Sequence, residues 1–130
     1  MRIKQVSVFV ENQPGRLVEM LQALKEYNIN ISALSVADTI DFGIVRLIIS
    51  DVEKGMEILR HAGFTARVTE VLKAVVPDTP GGLLTHVVEP LAKAGMNIEY
   101  VYAFVDPTPG TATVVLKVRD LDKAEQVIGQ

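Results

Sequence analysis

The 130-residue chain contains no cysteine. That absence excludes disulfides, thiolate nucleophiles and cysteine-based zinc sites together. There is no basic run, and the formal net charge is −3. Neither nucleic acid nor an anionic membrane surface is therefore expected as the main partner. No stretch approaches the roughly 20 apolar residues that a membrane span needs. Met1-Arg2-Ile3-Lys4-Gln5 runs straight into a strand pattern, so no signal peptide is expected and a cytoplasmic protein is the simplest expectation. No nucleophile–base pair, phosphate-binding glycine loop or paired carboxylate set stands out, and the chain is not expected to be an enzyme or to carry a cofactor. His61 and His86 are the only histidines, and both fall on helical patterns without carboxylates at metal spacing, so no metal is expected.

Apolar residues make up 48% of the chain, enough for a genuine core. The chain is organised around a turn that occurs twice. Glu11-Asn12-Gln13-Pro14-Gly15-Arg16-Leu17 is answered by Pro77-Asp78-Thr79-Pro80-Gly81-Gly82-Leu83, 66 positions later. Strand-like residues precede each copy and a helical stripe follows it. Val6, Val8 and Val10 share one face of a half-buried strand within Ile3–Val10. Leu17, Met20, Leu21 and Leu24 then form the i, i+3, i+4, i+7 stripe of an amphipathic helix over Arg16–Tyr27. Strands follow over Ile29–Ala37 and Ile44–Ile49, joined by a polar turn at Asp38–Gly43. Asp51 is placed to cap a helix over Val52–Ala62, Gly63 to terminate it, and Phe64–Thr69 is a further strand.

The second half repeats this plan with strands over Glu70–Val76, Asn97–Val105 and Ala112–Val118 and helices over Gly82–Ala94 and Leu121–Ile128. Asp106–Gly110 is a Pro/Gly turn, and Asp120 repeats the cap of Asp51. Two departures stand out. The offset between copies grows to 67 at Asn30 and Asn97, so the second copy gains a residue within its first helix, where Pro90 should kink or bulge the backbone near the His86 carbonyl. The second copy also ends without its own last strand, which would leave an edge open to pairing with another chain. A lone unit of this size is marginally stable, so the units should pack on each other or on another chain. The expected fold class is α+β: two ferredoxin-like βαββαβ units over residues 1–69 and 70–130, antiparallel sheets with helices on one face, the last strand of the second unit missing.

The turn can carry chemistry. Pro14 fits the first helical turn, Gly15 lets another group approach the backbone, and the free amides at the helix start favour a carboxylate. Asn12 offers both a donor and an acceptor. The plainer alternative is that Asn12 and Asp78 only cap their helices. Asn30 and Asn97 sit in matching frames, Asn28-Ile29-Asn30-Ile31 and Gly95-Met96-Asn97-Ile98, either as polar residues where a strand begins or as ligand contacts. Tyr100, Tyr102 and Phe104 alternate on one strand face as core, interface or site wall. Arg46, alone in an apolar strand, should face an interface or water, and Glu99 solvent.

Glu-Asn-Gln-Pro-Gly-Arg-Leu, the amphipathic helix after it and Asn-Ile-Asn-Ile resemble the ACT domain, the small-molecule-sensing module of amino-acid metabolism. The resemblance covers nearly the whole chain as two tandem copies. It implies allosteric, regulatory binding of a free amino acid between modules, the first-helix turn of one facing the second strand of its neighbour. Carried over residue by residue, it implies ligand contacts from Asn12, Gln13, Gly15, Arg16, Leu17, Asn30 and Ile31, and from Asp78, Gly81, Gly82, Leu83, Asn97 and Ile98 in the second copy. Asp78 departs from the paired asparagines of the serine-binding kind, and Val10 forgoes a polar contact that some relatives make. A homodimer or higher homo-oligomer is the implied assembly. The competing readings are a regulatory subunit that docks a metabolic enzyme without a working ligand site, and a ferredoxin-like enzyme.

Overall fold

The computed structural model describes residues 1–38, 42–105 and 108–129. The middle of the expected 38–43 turn, the first residues of the 106–110 turn and Gln130 lie outside them. The elements are β1 (Arg2–Glu11), α1 (Arg16–Glu26), β2 (Ile31–Asp38), β3 (Phe42–Ile49), α2 (Val52–His61), β4 (Thr65–Pro77), a π-helical segment (Leu84–Val88) that continues as α3 (Glu89–Lys93), β5 (Ile98–Ala103), β6 (Thr111–Val118) and α4 (Leu121–Ile128). They form two compact units, one of Lys4–Thr69 and one of Met1–Ile3 together with the residues from Glu70 onward.

In the Lys4–Thr69 unit the strand order is β2-β3-β1-β4. β1 pairs antiparallel with β3, Val6 opposite Leu47 and Val8 opposite Val45, and β2 pairs antiparallel with β3. Strand alternation sends Val6, Val8 and Val10 to the same face as Val45, Leu47 and Ile49. Met20 and Leu24 of α1 and Met56 and Leu59 of α2 close over that face. In the other unit the order is β4-β6-β5, with Leu72 opposite Leu116 and Ala74 opposite Val114. Its core joins these residues to Val87, Leu91 and Ala124 from the helices. The α+β architecture of two ferredoxin-like units with helices on one face is thus present as expected.

Three helix ends share one device. Asn28, Gly63 and Gly95 all take positive φ. The residue after each returns its N–H to a carbonyl in the last helical turn: Ile29 to Leu24, Phe64 to Leu59 and Met96 to Leu91. This is the Schellman pattern, which satisfies orphan carbonyls and buries an apolar residue as it does so. Asp51 and Asp120 accept from Lys54 and Lys123 N–H as the cap pattern predicts.

The strands expected over Phe64–Thr69 and Glu70–Val76 are one continuous strand, β4. No glycine or proline interrupts the run before Pro77, so nothing forces the backbone out of the extended region. The strand expected from Ile29 starts at Ile31, because the left-handed Asn28 and the exchange of Asn30 N–H to Ser50 Oγ and Ser50 N–H to Asn30 O belong to the preceding turn. The added residue in the second copy is absorbed where Pro90 led one to expect it: Leu84–Val88 is wound as π-helix, with Glu89 N–H reaching back five residues to Leu84 O. No strand follows α4 among the described residues. The edge expected to stand open is instead occupied at its start by the chain's own N-terminus. Lys73 N–H donates to Met1 O at 2.8 Å, and Arg2 ties the segment down through Glu125 at 2.7 Å, Asp122, and Glu70 at 3.7 Å. The Arg2 guanidinium is held above its ordinary range chiefly by the Glu125 hydrogen bond.

Deletion of Met1–Ile3 should therefore remove hydrogen-exchange protection from the Lys73 amide and leave the β3 amides of Val45–Leu47 protected. Unchanged protection at Lys73 would refute the role given to the N-terminal segment.

Candidate functional site

Beyond Glu11 the chain turns sharply. Gln13 N–H donates to Glu11 O at 2.8 Å, and Gly15, at φ 91°, stands at the N-cap of α1. A side chain would be strained at that φ even though the space around it is open. No side chain caps α1. The first backbone bond of the helix runs from Glu19 N–H to Gly15 O, so Leu17 and Val18 carry N–H groups that have no partner within the helix. Asn12 is exposed and does not cap the helix, which sets aside the plainer reading of that residue.

A cavity of about 140 Å³ opens beside this turn, lined by Val10, Glu11, Asn12, Gln13, Leu17, Val36, Gly43 and Val45. Val36, Gly43 and Val45 were not among the residues that sequence reasoning singled out. Val10 pairs with Gly43, and Val36 with Val45, so strand pairing carries these residues to the turn. The β2-β3-β1 order would have been the signal, and periodicity alone does not give it. Arg16 lies between Glu11 at 3.5 Å and Glu19, with its guanidinium 4.5 Å from the centre of the Phe64 ring. Its terminal nitrogens face the two carboxylates, while its buried Nε has no hydrogen-bond partner.

Asn30 and Ile31 line a different depression, of about 470 Å³, with Leu21, Leu24, Lys25, Asn28 and Ile29. The 11-residue helix α1 separates it from the turn, a span of about 16 Å at 1.5 Å per residue. Asn12 and Asn30 are therefore not brought together within one unit.

The second copy keeps the shape and changes the chemistry. Gly81 takes φ 80° in the place of Gly15, and Thr85 N–H donates to Gly81 O. Asp78 is exposed, and its backbone N–H donates to Gly110 O at 3.0 Å. Gly82, buried where the first copy has Arg16, would put a Cβ 2.1 Å from Pro77 O. Leu83 and Ile98 pack half-buried against the core. Asn97 lies with Met96, Glu99, Arg119, Asp120 and Lys123 around a depression of about 440 Å³, where Lys123 Nζ donates to Ala94 O.

Tyr100 and Tyr102 stack with ring centres 6.3 Å apart, and Lys73 Nζ sits 5.1 Å over the Phe104 ring. Glu99 is exposed, with Lys117 3.8 Å away. His61 and His86 are both exposed on helical segments. Among the described residues no group of histidines and carboxylates is placed to hold a metal ion, and no helix is long and apolar enough to cross a membrane.

A βαββαβ unit and a second that repeats the plan as far as α4, each built on a glycine turn between its first strand and first helix, define a tandem ferredoxin-like α+β fold. The chain belongs to the ACT domain pair family, whose description matches residues 1–130. Among solved structures it is similar to protein BT0572 from Bacteroides thetaiotaomicron, at 38% identity and TM-score 0.91, over 99% of this chain and 88% of that one. It also shares its fold with the ligand-free regulatory subunit of aspartate kinase from Thermus thermophilus, at 17% identity and TM-score 0.68, over 99% and 91% of the two chains. The regulatory subunit of aspartate kinase from Thermus flavus gives 18% identity and TM-score 0.66, over 99% and 92%. A search of curated proteins returns no match.

The two turns should respond differently to the same kind of substitution. Gly15→Ala meets only the left-handed backbone penalty, about 1–2 kcal/mol. Gly82→Ala drives a methyl into the Pro77 carbonyl and should cost about 1–3 kcal/mol through overpacking. Urea unfolding of both variants, with wild type as reference, checks this. Wild-type stability for Gly82→Ala would contradict the packing described.

Proposed function

We propose that this chain is a non-enzymatic regulatory sensor that binds a free amino acid at the β1–α1 turn. The observation that carries the reading is the cavity lined by Asn12, Gln13 and Leu17 beside a helix start that no side chain caps, where the N–H groups of Leu17 and Val18 have no partner within the helix. A ligand carboxylate is satisfied by those amides and by the positive end of the helix. Asn12 and Gln13 have both donors and acceptors for its ammonium group and for water. Gly15 keeps the approach clear. In the second unit Asp78, Gly81, Gly82 and Leu83 hold the corresponding positions, with an acid in place of the amide and a glycine in place of Arg16.

Asn30 and Ile31 stand too far from Asn12 to share its ligand within one unit, so on this reading they close over a ligand held by a second copy of the chain. Exposed apolar residues support association. Leu17, Val18, Leu34 and Val36 stay exposed, and Leu84 and Val101 hold the register-equivalent positions of Val18 and Leu34. Solvent-exposed apolar residues recurring at matched positions suit a homodimer or higher homo-oligomer in the cytoplasm. Binding then acts allosterically to the extent that the ligand's affinity differs between two arrangements of modules.

The same exposed residues favour a second reading, a regulatory subunit that docks a metabolic enzyme without using the pocket. Calorimetric titration with the twenty amino acids at millimolar concentration separates the two. At least one should give saturable heat, and Asn12→Ala should weaken it tenfold or more, about 1.4 kcal/mol. Silence from all twenty, with partner capture retained by Asn12→Ala, would favour docking. Leu34→Glu should shift the sedimentation coefficient toward the monomer; an unchanged value would remove Leu34 from the assembly surface.

A further inference from the structure

We infer that the pocket of the first unit selects an amino acid with a branched aliphatic side chain and that the chain binds one such ligand, not two. This rests on reading the pocket as an amino-acid site. Its polar groups, Asn12 and Gln13, gather at the turn, and the remaining walls are hydrocarbon: Val10 and Val45, both buried, with Leu17 and Val36. Among the described lining residues Glu11 is the one charged group, and it is engaged with Arg16, which also pairs with Glu19 and lies over the Phe64 ring. A charged ligand side chain therefore meets no uncommitted counter-charge among the lining residues. A hydroxyl laid against these valines gives up water without gaining a partner.

At about 140 Å³ the pocket is much smaller than the depression of about 470 Å³ beside Asn30. The floor is set by Gly43. A Cβ there would lie 3.5 Å from Val10 O and 3.8 Å from Ala37 O, ordinary contact distances, so the strand tolerates a side chain at this position and glycine leaves the space open.

The register of the second unit explains the single site. Val76 pairs with Ala112 as Val10 pairs with Gly43, and Ala103 pairs with Val114 as Val36 pairs with Val45. The floor is thus raised from glycine to alanine, and the side wall is cut from valine to alanine. Asp78 stands where Asn12 stood, and its charge opposes a ligand carboxylate at the helix start.

Titration calorimetry on the full chain tests this with glycine, alanine, valine, leucine, isoleucine, serine, threonine, lysine and aspartate. Valine, leucine or isoleucine should bind at least tenfold tighter than alanine, and valine roughly 10- to 100-fold tighter than its isostere threonine, with about one site per chain. Gly43→Val, which fills the floor, should weaken leucine at least tenfold. Val36→Thr, at a half-open position that folding tolerates, should narrow the valine–threonine gap. Serine, threonine, lysine or aspartate binding as tightly as valine would overturn the selectivity while leaving the sensor reading intact. Two equivalent sites per chain would overturn the single-site assignment. No binding by any amino acid, with both variants folded by circular dichroism, would remove this inference and the proposed function together.

Discussion

The left-handed glycine between first strand and first helix sets what the rest of each unit can do. β1 ends at Glu11 and α1 begins at Arg16, and in that interval the chain must leave the sheet and return over the same face. A φ of 91° at Gly15, and of 80° at Gly81, makes so short a passage possible. The return is held by burial of Met20 and Leu24 against Val6, Val8 and Leu47. With the helix fixed from below, its first amides have nowhere to go but outward. A corner of amides with no partner within the helix is therefore a by-product of packing, and the residues around it set its chemistry.

Those residues diverge between the copies. In the first, Arg16 lies between Glu11 and Glu19 with its guanidinium over the Phe64 ring. In the second, Gly82 is pressed against the Pro77 carbonyl and the helix begins with a π-helical segment. The π-helical turn takes up the added residue without losing the buried stripe, and Val87 and Leu91 still reach the core. The same plan thus carries an amide-lined pocket once and an acid-bearing turn once.

The Arg2 network shows a comparable division between what specifies and what stabilises. Partly exposed ion pairs contribute little singly. Three carboxylates around one guanidinium nonetheless select where the first residues lie, and the backbone bond from Lys73 to Met1 satisfies a strand edge. Apolar residues stay exposed at Val18 and Leu34 in one unit and at their counterparts Leu84 and Val101 in the other. A regulatory module needs such a surface, since a ligand changes an assembly only through contacts that differ between its states.

Local rules made much of this readable from the sequence. Hydrophobic periods of 2 and 3.6 located the strands and helices, Asp51 and Asp120 marked their caps, and the shift in offset together with Pro90 marked the bulge. These are short-range constraints, fixed by sterics and hydrogen bonding within a few residues. The merging of two expected strands into β4, the use of Met1–Ile3 beside Lys73, and the company of Val36, Gly43 and Val45 around Asn12 were decided only in three dimensions. Strand pairing joins residues tens of positions apart, and no local preference records which strands will meet. The sequence alone determined a doubled module with a glycine corner; the tertiary pairing decided that hydrocarbon from β2 and β3 would wall it.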